Sequence, residues 1–262
     1  MSSNSLRIAA TGMFAQQKRV DTIANNIANV NTPGYHKEMA LFQDLIYQTE
    51  RTVGAPTSDN NTLDLVGRIQ GVGVKLASII RSHAPGVITK TDRPLDLMID
   101  GHGFFKIELP DGDIAYTRAG PFEVNPDGEI STPEGYRLDP RITIPPEALE
   151  VIINADGQVF ARLPGQVALQ NVGQIELATF PNPGGLRPIG HNAYVETVAS
   201  GTPIIARPGQ NGLGTIQQGY IESSNVSIIQ ELTDLIEAQR SYEFNSKAVS
   251  TADEMMELIS KM

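Results

Sequence analysis

Asp96 and Asp100 flank the apolar triplet Leu97-Met98-Ile99 and are followed at once by Gly101-His102-Gly103. Two carboxylates and an imidazole are side chains that move protons in general acid–base catalysis, and this is the best such set in the chain. Aspartates at strand ends beside a glycine turn are more commonly structural turn residues, which is the preferred reading. The four histidines, 36, 83, 102 and 191, show neither HxxxH nor HExxH spacing and do not read as metal ligands. "VNPDGEIS" and "INADGQVF" lack the alternating oxygen ligands of a calcium loop and read as hairpin turns. The glycine-rich "GVGVKLAS" and "PGQNGLG" contain no Walker Gly-Lys-Ser/Thr and no Rossmann spacing. Ser82-His83 and Ser223-Ser224 have no nucleophile-elbow context. The chain has no cysteine, hence no thiolate zinc site and no cysteine nucleophile. No catalytic constellation, metal site or cofactor site emerges.

A different chemistry lies in "NNIANVNTPGYHK", residues 25–37, where four asparagines fall within seven residues and no charge occurs between Asp21 and Lys37. On a helix, Asn25 and Asn29 share one face with Asn26 beside them, opposite Ile23, Ile27 and Val30. A charge on that face would suit water but would be costly against another protein. An amide is both donor and acceptor and can be satisfied by a neighbouring subunit. The face therefore reads as one buried by self-association. The alternative is a fraying helix end made of turn-forming residues.

The elements that position these residues follow from periodicity. Leu6, Met13, Val20 and Ile27 recur every seven residues, with Ala9, Ile23 and Val30 three further on, an a/d seam interrupted by Gln16. A helix over 4–30 would be about 40 Å long, capped by Ser3 or Asn4 and stopped at Asn31-Thr-Pro-Gly34. Near the C-terminus, Ile228, Leu232, Leu235, Ile236, Tyr242, Val249, Met256 and Ile259 follow helical spacing after a cap at Ser224 or Asn225. Glu243 with Lys247 and Glu257 with Lys261 are i,i+4 pairs in the favourable order. Between the helices, "FFKIELPDGDIAYTRA", "FEVNPDGEI" and "VIINADGQVFARL" read as strand, Asp-Gly turn, strand. The fold class is α+β: terminal helices pairing as a coiled-coil-like layer, a central antiparallel β domain (barrel or sandwich) and an extended linker. The expected divisions are 1–37, 38–73, 74–219 and 220–262, with the first and last forming one helical domain.

A lone N-terminal helix would be marginal. The seven residues of its seam contribute about 1.5–3 kcal/mol each when fully buried, against about 1–2 kcal/mol per residue of backbone ordering. It needs neighbours on more than one side, the C-terminal helix being one. Net charge −10 argues against nucleic acid and against an anionic membrane surface. No run of 18 apolar residues exists, so no transmembrane helix is expected. The N-terminus lacks the apolar core of a cleavable signal, which by ordinary rules reads as cytoplasmic.

"ANNIANVNTPGYHK" together with "GYIESSNVSIIQELTDLIEAQRSYEFNSKAVSTADEMM" strongly resembles the flagellar axial family of rod and hook proteins. "FQDLIYQT", "DGHGFFKIELPDGDIAYTRAGPFEVNPDGEI" and "ITIPPEAL" point to its distal-rod branch. The resemblance runs end to end; His36 between Tyr35 and Lys37 is one departure from the family pattern. It implies a non-enzymatic structural subunit that polymerises into a helical, tubular drive shaft and transmits torque from motor to hook. The implied partners are copies of itself, proximal rod proteins, the hook protein, the P-ring and L-ring proteins and the flagellar type III export apparatus. The implied location is the basal body, the rod crossing the periplasm after export without a cleaved signal, which replaces the cytoplasmic expectation. The termini are expected to be disordered before assembly and to form the inner tube afterwards, with the β domain outside and 38–73 bridging neighbours. Candidate self-assembly residues are Leu6, Met13, Val20, Ile23, Asn25, Asn26, Ile27, Asn29 and Val30, and Ile228, Leu232, Leu235, Ile236, Tyr242, Val249 and Met256. Alternatives are another axial protein (proximal rod or hook), a surface-binding β module on a coiled-coil stalk, or an enzyme using Asp96 or Asp100 with His102. The stalked module would need an exposed aromatic platform, and the chain has no tryptophan.

Overall fold

Helix α1 spans Ser2–Ala28 and helix α2 spans Ile228–Ser260 at the other end of the chain. The computed structural model describes residues 2–51, 68–165 and 168–261. The chain is α+β, with largely antiparallel strands between the two helices. It divides into two compact units. A helical unit comprises Met1–Ile27, Glu38–Ile80 and Ser227–Met262, and a β unit comprises Ala28–Lys37 and Arg81–Val226.

Both helix limits differ from their sequence expectations by a few residues, for local reasons. α1 ends at Ala28 rather than residue 30. The Thr32 amide donates to the Asn29 carbonyl at 3.1 Å and the Tyr35 amide to the Thr32 carbonyl at 3.2 Å, forming a turn. Pro33 disfavours helix at Thr32. Gly34 has φ +69°, and a Cβ there would stand 2.6 Å from the Ala119 amide nitrogen, so only glycine fits. At the second helix, Ser227 rather than Ser224 or Asn225 occupies the N-cap, its carbonyl accepting from the Glu231 amide at 3.0 Å. Ser224 and Asn225 are engaged elsewhere. Ser224 Oγ accepts from the Val226 amide at 3.3 Å, and Asn225 Oδ1 accepts from the Lys37 amide at 2.7 Å.

In the helical unit, Glu38–Asp44 pairs with Val74–Arg81, and Gln48–Arg51 pairs antiparallel with Arg68–Gln70. The described parts of the expected linker thus include paired strands, and its residues 52–67 lie outside the described residues. In Glu38–Asp44, half-buried and exposed residues alternate along the first five positions, the period-two signature of a strand.

The β unit is built on Phe104–Glu108. One edge pairs with Ile114–Thr117; the other is shared end to end by Leu177–Thr179 and Arg137–Leu138. Its nine-stranded sheet continues through Ala193–Val195 and Arg187–Gly190 on one side and Ile130–Ser131 and Glu123–Val124 on the other. A three-stranded sheet, Glu150–Ile153, Gln158–Arg162 and Gln170–Gln174, accompanies it. The Asp-Gly turns are hairpins: the Gly112 amide donates to Leu109 O and the Gly157 amide to Asn154 O. Consecutive phenylalanines point to opposite faces. Phe105 enters the main core with Leu97, Phe122, Leu138 and Ile216, while Phe104 joins Tyr116, Phe180 and Tyr194. Both faces of the central strand are therefore buried, which is why "FFKIE" reads as a continuous apolar run rather than an alternation.

Candidate assembly surface

Within the helical unit, α1 and α2 meet through small and polar residues. On α2 the buried positions are Glu231, Ala238 and Ala252, with half-buried Asn245 completing a seven-residue repeat. On α1 they are Ala9, Ala15, Thr22, Ile23 and Asn26. Gly12 faces Asn245, and a Cβ there would press on the amide at 3.0 Å. Arg19 bridges to Glu237 at 3.0 Å and approaches Asp234 at 3.7 Å. Small side chains let two backbones approach closely, but they remove little apolar surface from water.

Asn26 explains one asparagine. Its Oδ1 accepts from the Glu38 amide at 2.9 Å, and its Nδ2 donates to the Glu38 carbonyl at 2.9 Å and to Glu231 Oε2 at 3.0 Å. The side-chain amide pairs with Glu38 as a neighbouring strand's peptide would, at the first residue of Glu38–Asp44. A lysine or glutamate cannot both donate and accept in that way. Asn25 is exposed and donates to Glu38 Oε2 at 3.2 Å, and Asn29 Oδ1 accepts from the Thr32 hydroxyl at 3.3 Å. All three have partners inside their own chain.

The larger apolar residues are distributed otherwise. Leu6, Met13, Val20 and Ile27 are half-buried, as are Leu235, Val249 and Met256, and so is Val30 in the β unit. Ile228, Leu232, Ile236 and Tyr242 are exposed, accompanied by Ile229 at 80% and Phe244 at 69%. Val20 and Tyr242 line a groove of about 430 Å³ between the two helices with Gln17, Gln239 and Glu243. Apolar side chains of this size are thus exposed along much of the 33-residue helix.

The β unit holds a buried polar cluster that sequence spacing does not reveal. Arg118 Nε donates to Glu222 Oε2 at 2.5 Å, while its two terminal nitrogens donate to the carbonyls of Gly103, Ile99 and Gly101. Glu222 Oε1 accepts from the Gly86 amide at 2.8 Å and stands 3.8 Å from His36 Nε2. His36 Nδ1 lies 3.1 Å from His83 Nδ1. Burial, then the charges of His36, Arg81 and Arg118, lower the His83 imidazole to about 4, with the Pro183 carbonyl opposing. Burial pushes the Glu222 carboxyl up, but the His36 ring, the Arg118 charge and the Gly86 amide outweigh it and bring it to about 2. The only sequence hint was that His36 departs from the family pattern.

Three family models match the chain. "Flagella basal body rod protein" covers residues 6–36, "Flagellar hook protein FlgE/F/G D1 domain" 98–161, and "Flagellar basal body rod FlgEFG protein C-terminal" 217–262. The chain is 49% identical to the flagellar basal-body rod protein FlgG of Caulobacter vibrioides over 98% of both chains. The chain belongs to the flagellar basal-body rod family. It is 45% identical to the protein of the same description from Agrobacterium fabrum, again over 98% of both chains. To flagellar basal-body rod protein FlgF of Caulobacter vibrioides it is 32% identical, over 96% of this chain and 94% of that one.

As a rod-family member the chain is a structural protein and not an enzyme. The residues that could have moved protons occupy structural places. Asp96 (2% exposed) directly precedes the strand Leu97–Asp100 and Asp100 ends it, a rise of about 13 Å at ordinary strand geometry. Asp96 approaches Arg93 at 3.8 Å and Asp100 accepts from Gln217 Nε2 at 2.9 Å. His102 lines a cavity of about 140 Å³ with His36 and His83, and His191 packs edge-on against Tyr136 at 6.3 Å. Among the described residues no three His, Cys, Asp or Glu side chains are placed to hold a metal ion. No helix among them is long and apolar enough to cross a membrane.

Proposed function

We propose that this rod-family protein is the distal-rod subunit of the bacterial flagellum and polymerises with copies of itself into a helical tubular shaft that transmits torque to the hook. The single observation that carries this reading is the outward apolar surface of α2. Its inward repeat is buried Glu231, Ala238 and Ala252 with half-buried Asn245, while Ile228, Ile229, Leu232, Ile236, Tyr242 and Phe244 remain exposed. Copies of the same chain, repeating one head-to-tail contact, would cover that surface and generate a filament rather than a closed ring. Higher identity to FlgG than to FlgF of the same organism favours the distal position.

On this reading the terminal segments 1–37 and 220–262 form a coiled-coil-like layer of the tube, 74–219 is the β domain, and 38–73 contacts neighbouring subunits. The candidate self-assembly residues on α1 and α2 then complete their burial between subunits. Proximal rod proteins, hook protein and the P-ring and L-ring proteins are the expected neighbours in the periplasm, reached through the flagellar export channel without a cleaved signal. Segments that order only at the growing tip meet their entropy cost through contacts with the copies already there.

Electron microscopy of the purified full chain tests this. Filaments are expected from the wild type. Leu235→Asp and Ile27→Asp are expected to abolish them while the β unit melts as before, because each adds a charge where a neighbour must pack. Undiminished polymerisation by both variants would overturn the proposal.

A further inference from the structure

Three polypeptide passages converge inside the β unit: residues 34–37, residues 82–87 and residues 222–226. They are bound to one another by few groups, each used several times. Asn225 Oδ1 accepts from the Lys37 amide at 2.7 Å, and Asn225 Nδ2 donates to the carbonyls of Ser82 and Ala84, each at 2.9 Å. One side chain thus holds all three passages. Glu222 repeats the arrangement. Its carbonyl accepts from the Gly34 amide at 2.8 Å, and its carboxylate accepts from the Gly86 amide and from Arg118. Backbone bonds close the set, the Ser82 amide donating to Lys37 O at 2.9 Å and the Ser223 amide to Val87 O at 2.8 Å.

The residue types suit this task. An asparagine satisfies one donor and two acceptors on separate segments without a net charge. The Glu222 carboxylate and Arg118 guanidinium are both nearly buried, and a buried ion pair is tolerated when its remaining lone pairs and protons are bonded. Arg118 meets that condition with three backbone carbonyls of 99–103, which fastens the three passages to the central strands. Each passage also continues into a segment assigned to the helical unit, at residues 38, 80 and 227.

We propose that Asn225, together with the Glu222–Arg118 pair, forms a clamp that is already closed in the free subunit and binds the three passages into one bundle, so that force entering the β unit along any one of them is shared by all three. The clamp is a property of the folded β unit; its mechanical use rests on the rod function proposed above. Asn225 acts as a positioning residue, ordering segments that carry load.

The test is amide hydrogen exchange on the full-length monomer, read residue by residue. In the wild type the Lys37, Ser82, Gly86 and Ser223 amides are expected to be protected. Asn225→Ala is expected to raise exchange at Lys37, Ser82 and Ser223 at least about tenfold, leaving Phe104–Glu108 and Gln158–Arg162 unchanged. Asn225→Asp keeps an acceptor for Lys37 and loses the two donors, so Lys37 stays protected while Ser82 and Ser223 open. It decides the question should Asn225→Ala fail to fold. Wild-type exchange in both variants, or a uniform rise across the whole β unit, would overturn the clamp. The mechanical consequence is read separately, as swimming speed of cells carrying Asn225→Ala, expected to be normal in dilute medium and reduced in viscous medium. Equal speed in both media relative to wild type would refute load sharing. Unimpaired motility on deletion of the gene would instead sink the rod function and leave the exchange result standing.

Discussion

The β unit and the helical unit are built from the same alphabet and bury it differently. In the β unit the largest fully buried side chains include Phe105, Phe122, Leu97, Ile107 and Leu138. In the helices the most deeply buried positions are alanines, a threonine, one isoleucine and the polar pair Asn26 and Glu231. Full burial of a large apolar side chain stabilises by about 1.5–3 kcal/mol, and an alanine contributes a fraction of that. The β unit therefore completes a core from its own residues. The helices meet through a few small and polar side chains, leave most of the large apolar residues of α1 half-buried and leave several of α2 exposed. What the difference teaches is that a complete apolar core is built in one part of the chain, while large apolar side chains stay exposed in another.

The strongest way to break this comparison is in the β core. Phe105→Ala removes a fully buried ring packed edge-on against Phe122 at 5.1 Å and is expected to destabilise the β unit by about 3–5 kcal/mol in denaturant unfolding. The same truncation at exposed Phe244 is expected to leave monomer stability within about 0.5 kcal/mol. Equal losses at the two positions would erase the distinction between the units.

Acid sharpens it, because the buried titratable cluster belongs to the β unit. His83 falls to about 4 in the fold from its ordinary 6.5, so the fold favours the neutral ring. Its contribution is complete above about pH 6.5 and is lost as pH falls toward 4. Glu222 lies at about 2 against an ordinary 4.5, so its contribution is complete above about pH 4.5 and is lost on further acidification to about 2. Each shift corresponds to at most about 4 kcal/mol. Melting of the β unit is expected to weaken in these two steps, and His83→Gln should flatten the upper one. A melting temperature independent of pH between 7 and 4 would contradict the cluster's role.

A smaller effect is expected from Asn26→Ala in the helical unit. Loss of its amide leaves the Glu38 peptide and Glu231 short of a partner, at a cost of about 1–3 kcal/mol. In a unit with so little apolar burial this should appear as faster exchange at the Glu38 amide, with no change in β-unit melting. Unaltered exchange there would show that the amide does not hold the strand's first residue.

The sequence by itself determined the kinds of element and their order. Helical spacing at both ends, Asp-Gly turns between short strands and the stop at Pro33-Gly34 are local properties, decided by backbone sterics and by periods of about 3.6 and 2 residues. It also marked 25–31 as a place where amides replace charges. Only the tertiary structure decided which side chains of α1 meet α2: Gly12 faces Asn245, Arg19 bridges to Glu237 and Asn26 donates to Glu231. It alone brought Asn26 to Glu231 across 205 residues, Arg118 to Glu222 across 104 and His36 to His83 across 47. Such partners are selected by three-dimensional packing and by the cost of leaving a buried polar group unbonded, and neither leaves a period in the sequence.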